Sequence, residues 1–174
     1  MKVTLIAAQS LDGFITRHDQ PGSDFTSAAD KEHFPKSLRD FDCQIMGAET
    51  FRVWQKISDE PIHPKRPQWV LTRNPAAFVT AALPGWLEFT DESPQQLLAK
   101  LAQRDLKNCA LLGGAKIHRL FLAAKCVDEV WLTIEPVLFG RGTPLVAGET
   151  DARLRLLSSE QLSESTLLLK YSVL

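Results

Sequence analysis

The stretch Asn108-Cys109-Ala110-Leu111-Leu112-Gly113-Gly114-Ala115-Lys116-Ile117 constrains this chain more than any other. Cys109 to Leu112 is a short apolar run of the kind that forms a strand buried on both faces. Two glycines close it, and Ile117, Leu120, Phe121 and Ala124 then fall at i, i+3, i+4 and i+7, one stripe of a helix. A strand, a glycine pair and a helix start can be an ordinary tight turn. They can also seat an anion, because backbone without Cβ admits a ligand closely and the free N–H groups and dipole of the helix attract negative charge. The glycine pair alone favours the ordinary turn.

The flanking chain repeats this alternation. Val3 to Gln9 reads as a buried strand turned by Ser10-Leu11-Asp12-Gly13, with Phe14-Ile15-Thr16 extended after it. Thr26 or Ser27 can cap a helix running to about Arg39, its first turns carrying Asp30 and Glu32, with Pro35 expected to end or kink it early. Phe41 to Gly47 is a second strand, Glu49 to Gln55 starts a second helix, and a loop holding Pro61, Pro64 and Pro67 leads to the strand Gln68 to Thr72. Trp86 to Phe89 is a short strand. Ser93-Pro94 then opens a helix whose apolar face is Leu97, Leu98, Leu101 and Ala102. Glu129 to Ile134 is a further strand, and Arg153–Leu157 with Thr166–Val173 alternate with period two, as an antiparallel pair at a sheet edge does. Alternating β and α closing on strands predicts one α/β domain over residues 1–174, its sheet mostly parallel, with ligands at the carboxyl ends of the strands.

Composition removes several classes of function. A net charge of -1 and the lack of a basic run argue against nucleic acid. No apolar stretch reaches membrane-spanning length, and the Val3–Ala8 run is too short for a signal segment, so neither a membrane nor export is expected. Cys43, Cys109 and Cys126 are an odd, unclustered set, which reads as reduced thiols in the cytoplasm. His18, His33, His63 and His118 lack metal-ligand spacing and are expected to be surface or satisfied residues, so no metal is expected.

Three strand ends could hold one cofactor: Gly47-Ala48-Glu49-Thr50, Thr72-Arg73-Asn74 and Gly113-Gly114-Ala115. Thr50 near a helix start can hold phosphate or merely cap the helix. Arg73 offers a planar fork to a phosphate monoester or is a solvated loop cation. Together they describe what a dinucleotide needs, although GxGxxG after the first strand is absent.

With those residues in place, the chain resembles the dihydrofolate reductase superfamily, and within it the riboflavin-biosynthesis reductase branch, the C-terminal part of deaminase-reductases. The resemblance runs from Val3 to Leu174 on "LIAAQSLDGFIT", "DCQIMGAETF", "WVLTRNP", "LLGGAKIHRLFLAAKCVDEVWLTIEPVLFGRGTPL" and the closing strand pair. It implies a three-layer domain: a mostly parallel sheet of about eight strands with an antiparallel C-terminal edge, helices on both faces, and NADPH across the strand ends. Ala8 and Ile15 would line the nicotinamide; Gly47, Ala48 and Thr50 would form the first phosphate loop. Thr72 and Arg73 would face the 2′-phosphate, and Gly113, Gly114, Ala115 and Lys116 the pyrophosphate. Where dihydrofolate reductases carry basic residues in that first loop, this chain has Ala48-Glu49.

The resemblance also implies an acid on the first helix, four residues before a substrate-packing phenylalanine, and Asp30 and Phe34 have that spacing. Arg66 would bind a substrate carboxylate; Asp12 lies in a loop that would border the substrate, with a turn-forming role expected for it ahead of direct catalysis. For a phosphorylated substrate Arg66, His33 and Lys31 are the candidate cations. Asp30 can act as the catalytic acid or simply stabilise the helix start. The expected function is NADPH-dependent reduction of 5-amino-6-(5-phosphoribosylamino)uracil or a similar small heterocycle or imine, by a homodimer. Dihydrofolate reductase, an orphan reductase of this fold, and a nucleotide-binding protein without catalysis are the alternatives.

Overall fold

The computed structural model describes residues 1–57 and 66–174, so Pro61, Pro64 and His63 lie outside the described residues. Its elements are β1 (Lys2–Ser10), α1 (Ala28–Ser37), β2 (Cys43–Gly47), α2 (Ala48–Ile57), β3 (Gln68–Leu71), β4 (Leu87–Thr90), α3 (Pro94–Gln103), β5 (Asn108–Gly113), α4 (Ala115–Ala123), β6 (Glu129–Glu135), β7 (Leu154–Gln161) and β8 (Leu167–Val173). The eight strands form one sheet in the order β4-β3-β2-β5-β1-β6-β8-β7. The six strands from β4 to β6 are mutually parallel, and β8 and β7 close the sheet antiparallel. The fold is the dihydrofolate reductase-like one that the resemblance implied.

Local chemistry explains most of the boundaries. Ser27 caps α1, its Oγ accepting the Asp30 amide at 3.2 Å. Ser93 and Gln96 form a reciprocal capping box ahead of Pro94. Pro35 does not end α1 early. It sits in the last turn, where its missing N–H leaves only the carbonyl of exposed Lys31 without a helical donor, and the chain then tightens into a 3-10 turn over Leu38–Asp40. β2 starts at Cys43 rather than Phe41, because the Asp42 carboxylate turns aside to accept the Lys107 and Asn108 amides, each at 2.8 Å.

Strand alternation splits the core in two. Val3 and Leu5 of β1, Cys43 and Ile45 of β2, Trp69 of β3 and Leu111 of β5 pack under Leu97 and Leu101 of α3 and Phe121 of α4. The opposite face carries Ile6 and Ala110 against Phe34 and Leu38, and Met46 and Val70 against Phe51 and Trp54 of α2. Each such large side chain removed from water stabilises the fold by about 1.5–3 kcal/mol. One feature is invisible in the sequence: Ile45 pairs with Leu111 but Met46 with Gly113, so Leu112 is an extra residue in β5. That bulge re-aims the strand just before the glycine pair.

Candidate active site

A cleft of about 1690 Å³ runs along the carboxyl ends of the parallel strands. Ala8, Ile15, Asp30, Phe34, Gly47, Ala48, Thr50, Thr72, Arg73, Gly114, Ala115 and Lys116 all line it. Three predicted positions do not. Gly113 lies buried immediately behind the lining, whereas Asp12 and Arg66 serve elsewhere.

Asp12 staples two loops. Its carboxylate accepts the Ser10 hydroxyl at 2.6 Å, the Gly140 amide at 2.7 Å and the Phe139 amide at 3.0 Å. The Ser10 hydroxyl, with these amides, holds Asp12 below the usual carboxylate range. Arg66 is bound to the end of the first helical segment, one guanidinium nitrogen donating to the Leu38 carbonyl and the other to the Arg39 carbonyl at 2.6 Å. Its fork is filled by backbone there, a carbonyl-capping role that the spacing ahead of β3 did not reveal.

Two helix starts meet at the glycine pair. α2 begins at Ala48 and α4 at Ala115, and a Cβ placed on Gly114 would lie 3.3 Å from Thr50 Oγ1. A Cβ on Gly47 would lie 2.8 Å from Ile117 Cγ1, so the absence of both side chains lets the two turns close on each other. The Gly113–Gly114 peptide is cis, and Gly113 has φ +98°. The first-turn N–H groups of α2 and α4, which have no partner within their own helices, and two positive dipole ends lie close together, and a diphosphate fits that donor set. Glu49 and Lys116 face each other at 3.8 Å with both side chains 80% exposed, so the Glu49 carboxylate has a cation beside it but little energy rides on the pair. Arg73 is exposed at the end of β3, and no ion pair engages it among the described residues.

Asp30 also lines the cleft and is only 8% exposed. Burial raises its pKa; the Thr133 hydroxyl opposes the rise, the Glu135 carboxylate adds to it, and Thr26 and His33 oppose it. Phe34 and Trp131 supply aromatic walls. Thr133 and Glu135 are site features that residue spacing could have found, since period two along β6 puts Trp131, Thr133 and Glu135 on one face. His118 was missed for a different reason. Expected as a surface or satisfied residue, it is buried behind Gly113, its Nδ1–H donating to the Leu145 carbonyl at 2.7 Å while Nε2 has no partner among the described residues. Leu120, expected on the buried stripe of α4, is 42% exposed, because the helix turns Ala115, His118 and Phe121 inward instead.

Known proteins share both sequence and fold with this chain. It is 27% identical over 172 residues to the uncharacterized protein YwjB of Bacillus subtilis (strain 168), covering 94% of each chain. In structure it is similar to a diaminohydroxyphosphoribosylaminopyrimidine deaminase/5-amino-6-(5-phosphoribosylamino)uracil reductase from Thermotoga maritima, with a TM-score of 0.78 and 20% identity, over 99% of this chain and 56% of that one. Dihydrofolate reductase from Enterococcus faecalis, complexed with NADP(H), superposes with a TM-score of 0.70 at 18% identity, over 99% of this chain and 96% of that one. Residues 1–168 match the RibD C-terminal domain as a family. With the sheet order, the paired helix starts and this match in hand, the chain is a member of the RibD C-terminal domain family.

Proposed function

We propose that this protein is an NADPH-dependent reductase of the riboflavin-biosynthesis type, reducing a carbon–nitrogen double bond in a small heterocycle. The observation that carries this reading is the meeting of two helix starts over Gly114 and Thr50, in the same cleft as a buried acid. When bound, the reduced nicotinamide supplies a hydride. The chain's own residues do the rest. Gly47, Ala48 and Thr50 of one turn and Gly114, Ala115 and Lys116 of the other hold the pyrophosphate. Thr72 and Arg73 hold the 2′-phosphate, and Ala8 and Ile15 wall the ring. Asp30 keeps a proton at a pH where an exposed carboxyl would have lost it, and gives that proton to the substrate nitrogen as hydride reaches the adjacent carbon. Phe34 packs on the substrate ring.

Asp12 enters this reading through the loop it staples, and Arg66 through the end of the helix it secures. A homodimer in the cytoplasm completes the proposal. Its support is an outer strand, β7, exposed throughout its length, and three cysteines without disulfides.

The test is a thermal shift with NADPH against NADH, in wild type and Arg73→Ala, followed by turnover in wild type and Asp30→Asn. A cofactor at about 100 times its dissociation constant adds roughly 2.7 kcal/mol to stability. NADPH is expected to stabilise more than NADH, Arg73→Ala to narrow the gap, and Asp30→Asn to abolish reduction while keeping the cofactor shift. No shift with either nucleotide refutes the proposal. Oxidation of NADPH by dihydrofolate but not by the phosphoribosylaminouracil would replace the substrate.

A further inference from the structure

Glu135 ends β6 only 1% exposed, does not line the cleft, and has no part in the reading above. Its Oε1 accepts both the backbone amide and the hydroxyl of Ser27, each at 3.0 Å. The Thr166 hydroxyl lies 3.4 Å from Oε2 and 3.2 Å from Ser27 Oγ. Ser27 in turn caps α1 by accepting the amide of Asp30 at 3.2 Å. A buried carboxylate on the sheet is therefore tied through one serine to the helical turn that carries the acid.

We propose that Glu135 is the positioning residue for Asp30: through Ser27 it anchors the first turn of α1 to β6 and so holds the two buried carboxyl groups in one site. This rests on the reductase reading for its consequence in catalysis, but not for its physical content. The groups facing Asp30 are few. Thr133 and Thr26 present hydroxyls, His33 comes from the same helix, and Glu135 comes from β6. Lys170 of β8 sits 4.0 Å from the centre of the Trp131 ring. Thr166, before β8, presents only a hydroxyl to Glu135. Among these, Glu135 is the anion, and in a buried setting a like charge disfavours a second ionisation. Burial of Asp30 acts in the same direction, so removing Glu135 is expected to lower its proton affinity without returning it to that of an exposed carboxyl.

The test is a carbon-13 NMR titration of the Asp30 carboxyl in wild type, Glu135→Gln and Glu135→Asp, with Asp30→Asn to assign the signal. Glu135→Gln retains an acceptor for Ser27 while removing the charge. It should move the Asp30 midpoint to lower pH, and Glu135→Asp should move it back toward wild type. Where reduction is measurable, the pH at which the rate falls should shift with the NMR midpoint, and cofactor affinity should stay unchanged. A folded Glu135→Gln protein with the wild-type midpoint overturns the proposal. Should that variant fail to fold, Ser27→Ala cuts the hydroxyl link between Glu135 and the Asp30 turn, and an unchanged Asp30 midpoint in that variant overturns the proposal. Absence of turnover in every form would refute the reductase reading alone, because the titration needs no substrate.

Discussion

His118 makes the stability of this protein depend on acid in a way that can be calculated. Burial pushes its imidazole down to about 4, with the bond from Nδ1–H to Leu145 a smaller opposing effect. A carbonyl can only accept, so Nδ1 carries the proton, and Nε2, unpartnered among the described residues, is the unprotonated atom against Gly113. In the unfolded chain the ring titrates near its ordinary value of 6.5. Between about 4 and 6.5 the unfolded state therefore binds more protons than the folded one, so stability falls as pH falls through that window. Integrated down to about pH 4.5, the loss from this one group is roughly 2 to 3 kcal/mol, a large share of a typical domain's stability. Asp30 acts with the opposite sign: its raised pKa means the folded state takes up protons first, which favours folding as acid is added. The measurement is therefore a difference. Urea unfolding of wild type and His118→Leu is compared at about pH 7.5 and about pH 4.5, and the variant should lose roughly 2 to 3 kcal/mol less than wild type. The lost hydrogen bond to Leu145 lowers the variant's stability at both pH values and cancels. Equal losses in the two proteins would refute the assignment of a buried neutral imidazole.

Gly113→Ala should destabilise the fold by about 3 kcal/mol in urea unfolding, since its Cβ would lie 2.7 Å from His118 Nε2 at a backbone φ of +98°. His118→Ala should recover part of that loss, leaving the backbone strain; full additivity of the two changes would contradict the contact. At the sheet edge, Leu156 and Leu157 of β7 are 53% and 50% exposed, and Leu156→Lys is expected to turn a dimer into a monomer in analytical ultracentrifugation. A wild-type protein that sediments as a monomer would remove the edge as an interface.

Much of the fold was legible residue by residue. Ser27 and Ser93 were readable as caps because a capping hydroxyl needs only neighbours three residues away. The carboxyl ends at Gly47, Thr72 and Gly114 were readable because glycine and polar residues stop apolar runs. Pro35 misled because its effect depends on how near the helix end it falls, and that end is set by packing of Leu38 in the core. Arg66 misled for a related reason, whereas Asp12 kept the turn-forming role open to it and added a distant loop. A guanidinium or carboxylate takes whichever partner the fold presents, and here those partners are backbone groups 27 residues and 127 residues away.

By itself the sequence determined the type and order of the elements, and the positions where the chain could approach a ligand without side chains. Those follow from contiguous residues, through propensity, capping and periodicity. Only the tertiary structure decided that His118 would press on Gly113, that Leu112 would bulge from β5, and that Glu135 would reach Ser27 across 108 positions of sequence. Sheet order and strand register set those meetings, and they are properties of all the strands packed together that no single stretch of chain carries.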